Sequence, residues 1–279
     1  MSKQATRSRP QPARAGSGRG FWIIAVVVVL IGAALVAALV GGRSSGGAGG
    51  GKASATLVKQ VTSVPANVFR SVGAGTATAA PKPITAPALT LDGKPHVLYM
   101  GAEYCPYCAT ERWAMVVALS RFGTFSNLAT THSSTTDVFP DTQTFSFHGT
   151  TYTSRWLAFT GVEMQSNVRS GDGYKTLDVP TAEQRAVFGT YDQAPYIGSN
   201  PAANNGIPFI DIGGKYVVSG VTYDPAVLQG KSLDEIAQAL HDGTSAIARG
   251  AIGAANGLTA AICKITNGQP TSVCSATSG

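Results

Sequence analysis

Two cysteines stand three residues apart in "HVLYMGAEYCPYCATERWAMVVALSRFG", which begins at His96, and the chain holds only two others. The run "HVLYM" is short and apolar, as a buried strand is, and Pro106–Phe122 after it reads as a helix. Pro106 suits the first helical position, where its missing N–H costs nothing and its φ is already set. Cys105 is then the cap, its sulfur facing unpaired backbone N–H groups and the positive end of the dipole. A thiolate is favoured there. If the pKa falls from about 8.5 to about 7, the reactive fraction at neutral pH rises from a few per cent to roughly half. Cys108, one turn along the same face, is in reach of a mixed disulfide formed on Cys105. The pair can therefore act as a two-electron switch.

Other uses of two close cysteines fit less well. Zinc takes four ligands, usually with a second close pair, whereas Cys263 and Cys274 have ten residues between them. The four histidines, His96, His132, His148 and His241, are scattered singly and read as surface or core residues, so no metal is expected. A purely structural Cys105–Cys108 bridge would close too small a loop to stabilise much. A Cys–His hydrolase leaves the second cysteine and the proline without a purpose.

The elements that must position this pair can be placed along the chain. A short helix is expected after Pro65, and Thr76–Pro87 reads as an extended crossing. The helix after Cys105 carries only Glu111, Arg112 and Arg121 as charges, and apolar residues cover most of its circumference. It is expected to be largely buried and to stop at Gly123. "TFSFHGTTYTSRWLAFTG" suggests two strands turning near Gly149. Thr181 with Gln184, and Ser232 with Glu235, form capping boxes that open short helices. "GIPFIDIGGKYVVSG" (Gly206–Gly220) is a hairpin turning at Gly213–Gly214. Thr244–Ile265 is expected to be helical with a break. Gly250, Gly253 and Gly257 in "GAIGAANG" lack the strand and spacing of a phosphate loop and read as helix-packing positions.

Charge and hydropathy set the compartment. Of the formal charge of +6, residues 1–20 carry five, and Arg43 and Lys52 add two, which leaves −1 from Ala55 onward. A near-neutral body offers no footprint for nucleic acid. "FWIIAVVVVLIGAALVAALV" (Phe21–Val40) has no charge and, at about 1.5 Å per residue, spans one hydrocarbon core. Basic residues before it place the N-terminus in the cytoplasm and the C-terminal domain outside, with residues 21–40 in the lipid bilayer. A cleaved signal peptide is the competing reading, although its apolar region is normally shorter, about 7–15 residues. Gly41–Ser54 reads as a flexible Gly/Ser linker. The expected organisation is thus a basic cytoplasmic tail (1–20), a single-pass transmembrane anchor (21–40), a linker (41–54) and an extracytoplasmic domain (55–279). Outside the membrane disulfides persist, and proximity pairs Cys105 with Cys108 and Cys263 with Cys274.

A strand, then "CPYC", then a buried helix, with "GIPFI" and a hairpin far downstream, resembles the thioredoxin-fold superfamily. "GAEYCPYCATERWA" and the terminal "AAICKI…SVC" are similar, more closely, to an uncharacterised family of membrane-anchored thioredoxin-like proteins. The resemblance implies an α/β fold, a mixed sheet flanked by helices, with an inserted segment at about 124–198 between the CxxC helix and the cis-proline strand. It implies that Pro208 is that cis-proline and that Ile207 before it offers its backbone to an extended substrate. The dipeptide Pro106–Tyr107, typical of glutaredoxins, joins them as substrate-binding. Thioredoxins also use a buried acid for proton transfer. Glu103 and Glu111 are the candidates here, each open to being an ordinary surface or structural acid. Cys263 and Cys274 form either a structural disulfide that staples the tail or a relay passing electrons to Cys108.

The function expected is that of a membrane-anchored thiol–disulfide oxidoreductase. Cys105 and Cys108 are its catalytic residues, protein thiols or disulfides its substrates, and a membrane redox protein a further partner. It needs no cofactor beyond its own redox-active disulfide. The alternative is a non-catalytic peptide-binding module of the same fold with structural disulfides.

Overall fold

The computed structural model describes residues 50–275. The basic tail, the apolar stretch Phe21–Val40 and the linker as far as residue 49 lie outside the described residues. The last linker residues are tied down: Ala53 is buried, its N–H donates to Leu128 O at 2.9 Å, and Thr130 N–H donates to Gly51 O at 2.8 Å. Helix α1 (Ala55–Thr62) follows at once, capped by Ser54 Oγ, which accepts from Leu57 N–H at 3.1 Å. Helix α2 (Ala66–Val72) starts after Pro65.

The extended crossing that follows carries two short strands, β1 (Lys82–Pro83) and β2 (Thr90–Leu91), before β3 (Lys94–Gly101) and helix α3 (Pro106–Ser120). Next come β4 (Thr124–Ser126), β5 (Ala129–His132), β6 (Gln143–Ser146), β7 (Thr151–Thr153), β8 (Ala158–Glu163), β9 (Gln165–Ser170) and β10 (Gly173–Thr176). Helix α4 (Ala182–Tyr191), the hairpin β11 (Phe209–Ile212) and β12 (Tyr216–Ser219), then α5 (Leu233–Ala239), α6 (Ala246–Ile265) and α7 (Thr271–Cys274) complete the order.

A mixed sheet runs β1-β12-β11-β3-β2, and β8 joins β3 in parallel from His96↔Ala158 to Gly101↔Glu163. All other pairings in it are antiparallel. Strand periodicity builds its two faces. From β3, Val97 and Tyr99 enter the larger core, shared with α1, α2, α3 and α6, whereas Leu98 and Met100 face the smaller one, beneath Val187, Phe188 and Tyr191 of α4. Ile210 and Val218 repeat the first choice, Phe209 and Val217 the second. Helices thus flank both faces. Because β3 is covered on both sides, it reads as a continuous apolar run.

Three sequence expectations change. The segment 124–198 is not one insertion, because β8 belongs to the central sheet beside β3. The strands flanking Gly149 do not pair with each other: β6 pairs with β5 and β7 with β4. Both pairings belong to one interrupted ribbon that closes through residues 133–142, and Gly149 (φ +65) marks the interruption. Helix α6 runs unbroken. Its glycines let neighbours approach closely: a Cβ on Gly253 would lie 2.3 Å from Ala74 O, and one on Gly250 would lie 2.6 Å from the Tyr223 ring. Among the described residues α6 alone is long and apolar enough to cross a membrane, yet most of it is buried within the fold, as a core helix would be.

Candidate functional site

Strand β3 delivers the chain to the cysteine turn through Gly101. Tyr99, two residues earlier on the same face, lays its hydroxyl over that position, so a Cβ there would lie 2.1 Å from Tyr99 Oη. Ala102, Glu103 and Tyr104 make the turn, and Cys105 caps α3 with extended backbone (φ −75, ψ 122). Its Sγ accepts from Cys108 N–H at 3.3 Å. Pro106 occupies the first helical turn, as expected.

Opposite the cap lies the Ile207–Pro208 peptide, which is cis. Phe209 pairs with Met100, which sets Pro208 beside the end of β3. The Ile207 carbonyl oxygen is 3.7 Å from Cys105 Sγ, and Pro208 O accepts from Gly220 N–H at 2.8 Å. The structure therefore brings Cys105, Cys108, Ile207 and Pro208 together from positions a hundred residues apart.

The expected Cys105–Cys108 bridge is not formed in this structure: both cysteines are free thiols, and their surroundings differ. Cys105 is held below the ordinary thiol range, first by the hydrogen bond from the Cys108 side chain, against the cost of burial, and then by Cys108 N–H and the Arg112 charge. Burial pushes Cys108 well up, and its hydrogen bond to Cys105 pushes in the same direction. The surroundings favour the anion on Cys105 and the proton on Cys108. Cys105 is 5% exposed and Cys108 is fully buried, so a partner can reach only the first.

Sequence reasoning missed the charge beneath them. Arg112 is fully buried. Its Nε and Nη2 donate to Glu163 Oε1 and Oε2 at 2.8 and 2.7 Å, and Nη2 also donates to Ala102 O at 2.7 Å. Burial opposes that charge most strongly, but Glu163, together with Tyr99 and Cys108, outweighs it. A cation within a largely apolar, buried helix was the available signal. Glu163, however, reaches it only through the β3–β8 pairing, which no local pattern announces. Of the expected acids, Glu111 is buried and takes hydrogen bonds from Thr222 N–H (2.9 Å) and Oγ1 (2.8 Å), with burial raising its pKa to about 7. Glu103 is buried at the turn, its N–H donating to Gln165 O at 2.8 Å. Arg112 bears on both sulfurs and Glu163 on Cys108, whereas neither Glu103 nor Glu111 is among the largest influences on either.

An aromatic wall adjoins the turn. Tyr104 stacks on Tyr174 at 4.2 Å between centroids, Tyr174 Oη donates to Ser134 Oγ at 2.7 Å, and Ser134 N–H donates to Tyr104 O at 2.7 Å. Tyr107, exposed beside Cys105, meets Phe139 edge-on at 6.0 Å. Phe139 and Ser134 come from the loop that closes the β4–β7 ribbon, and Tyr174 from β10. The segment downstream of α3 therefore walls one side of the cysteine turn.

Cys263 and Cys274 are joined in a disulfide. Nearby Ile265 packs against Gly213, whose N–H donates to His96 O at 2.9 Å. That is the start of β3, so most of a strand, about 16 Å at strand rise, separates this end of the sheet from Gly101 and the cap.

A family model described as "Domain of unknown function (DUF929)" matches residues 83–264, more than half of the chain. The chain belongs to the DUF929 family. The match contains Cys105, Cys108, Pro208 and Cys263 and ends before Cys274. Comparison with curated proteins and comparison with solved structures each returned no match for this DUF929 chain.

Proposed function

We propose that this DUF929 protein is a thiol–disulfide oxidoreductase of thioredoxin-like fold, with Cys105 as the attacking sulfur and Cys108 as the resolving one. One observation carries the reading: an acidified thiol at a helix cap lies against the backbone carbonyl that precedes a cis-proline. Support for the fold comes from the order of parts: a central strand, the cysteine turn, a buried helix, a parallel return strand, then a cis-proline and an antiparallel hairpin. Ile207 and Pro208 present backbone to an extended substrate, and Pro106 and Tyr107 form its other border. The substrates are protein thiols or disulfides.

In the exchange, the Cys105 thiolate attacks one sulfur of a substrate disulfide, forming a mixed disulfide and releasing the other sulfur as a thiolate that takes up a proton. Cys108 then loses its proton and attacks Cys105 Sγ, which frees the second substrate sulfur. Two electrons pass from the pair to the substrate, and the reverse order oxidises a dithiol. The site is proposed to work outside the cytoplasmic membrane, tethered through residues 21–40 and supplied by a membrane redox partner. The length of that apolar stretch and the basic residues before it support this placement.

Cys108→Ser removes the resolving sulfur and should trap substrates on Cys105 as adducts that reducing agent releases. Cys105→Ser should abolish both turnover and trapping. If Cys108→Ser protein forms no adducts on non-reducing gels, the exchange mechanism is wrong and the non-catalytic peptide-binding reading replaces it.

A further inference from the structure

The buried Arg112–Glu163 pair needs a reason for its place. Burying an ion pair adds little stability compared with apolar residues of similar volume, so its presence at zero exposure points to something besides packing. Arg112 follows Cys108 by one helical turn, and side chains on a helix lean towards its N-terminus. The guanidinium ties α3 to β8 through Glu163 and to the end of β3 through Ala102 O. Those three elements converge under the cysteine turn. Its remaining nitrogen, Nη1, is buried and has no hydrogen-bond acceptor among the described residues.

We infer that Arg112 is a positioning residue for the second half of the exchange: it keeps a fixed positive charge beneath Cys108 while that sulfur is an anion. The inference rests on the oxidoreductase reading above. In the resolving step the Cys108 S–H bond breaks and the new thiolate attacks Cys105 Sγ. The Cys105–substrate bond breaks, and the departing sulfur takes the electron pair and a proton. No outside oxidant or reductant enters this step. The obstacle is the anion itself, made where no water solvates it. Titratable and charged groups bear on Cys108 from each element around it: Cys105 at the cap, Arg112 on α3, Glu163 on β8, Tyr99 on β3 and Tyr104 on the turn. Of these, Arg112 alone is a cation. Its pull on Cys108 exceeds the push of Glu163, and it also acts on Cys105.

Glu163 gives the test two signs. Glu163→Gln keeps an acceptor for Arg112 and for Phe147 N–H, which donates to Glu163 Oε1 at 3.2 Å, but removes the opposing anion. The double substitution Arg112→Met/Glu163→Gln removes both charges and leaves no ion unpaired. The reduced, full-length protein is mixed with 5,5′-dithiobis(2-nitrobenzoate) in a stopped-flow instrument across a pH series. The first equivalent of thionitrobenzoate reports attack by Cys105, and the second reports resolution by Cys108.

For the double variant, the second phase should slow by at least about tenfold at neutral pH and its pH midpoint should rise by about one unit or more. For Glu163→Gln the midpoint should fall. Loss of a merely structural contact would not move the midpoint in opposite directions. A folded double variant whose second phase matches the unsubstituted protein in rate and midpoint overturns the inference. If the double variant does not fold, Glu163→Gln decides alone, and an unmoved or raised midpoint overturns the inference. Release of a single equivalent by the unsubstituted protein would overturn the oxidoreductase reading itself, and this assignment with it.

Discussion

Cys105 and Cys108 carry the same group, and the fold makes them unlike. The cap position, a neighbouring S–H and a buried cation favour the anion on the first, while complete burial keeps the second protonated. Much of this was legible, because Cys-Pro-Tyr-Cys at a strand-to-helix turn has few other uses. The acids were legible only as residue types. Glu111 was a candidate for proton transfer, and in the structure its carboxylate accepts from Thr222 N–H and Oγ1. Its pKa rises from the ordinary 4.5 to about 7 because it is buried. A raised acid binds its proton more tightly folded than unfolded, so its stabilising contribution is complete below about pH 4.5 and disappears as pH rises through about 7. Glu111→Gln imitates the protonated form: its amide can donate to Thr222 Oγ1 and its oxygen can accept from Thr222 N–H. The variant should melt with wild type near pH 4.5 and be more stable above about pH 7, by up to roughly 3 kcal/mol. Thermal melts across that range check this, and a gap that does not grow with pH contradicts it.

At the scale of elements, what local chemistry specifies came through and what depends on pairing did not. Helix α3, the hairpin turn at Gly213 and Gly214, where φ is +67 and +65, and both capping boxes follow from residues within a few positions of one another. The β3–β8 pairing joins residues about sixty apart and had no local signature. The expected break in α6 failed for an instructive reason, since glycine in a helix can serve approach as well as interruption. Gly253→Ala gains up to about 1 kcal/mol of helix propensity, but its Cβ would meet the Ala74 carbonyl oxygen at 2.3 Å. A backbone atom cannot swing aside, so the clash dominates and the variant should lose about 1–3 kcal/mol. Gly257→Ala is the control. Its Cβ meets Pro81 Cδ at 3.4 Å, an ordinary contact, so it should be neutral or stabilising by up to about 1 kcal/mol. Denaturant melts of the two variants, read side by side, separate these outcomes.

For the whole molecule, the two cysteine pairs occupy opposite ends of one sheet. That separation favours the staple over the relay for Cys263 and Cys274. Their bridge closes a separation of 11 residues, which corresponds to about 3 kcal/mol of loop entropy. Replacing both with serine should therefore cost about 3 kcal/mol on unfolding and leave the rate of Cys105 alkylation within about twofold. A large loss of Cys105 reactivity in a protein that still folds would revive the relay. The sequence placed this bridge by proximity alone, but its distance from the turn depended on how α6 crosses the sheet, which no motif records.

The central claim is that the fold, and not the cysteine as such, makes the Cys105 sulfur acidic. The most direct test is the pH dependence of iodoacetamide labelling in the reduced protein, read residue by residue by peptide mass spectrometry. Cys105 should label with a midpoint below about 8 while Cys108 stays unlabelled in the native state. A Cys105 midpoint at the free-thiol value of about 8.5 or above, or equal labelling of the two cysteines, would contradict it.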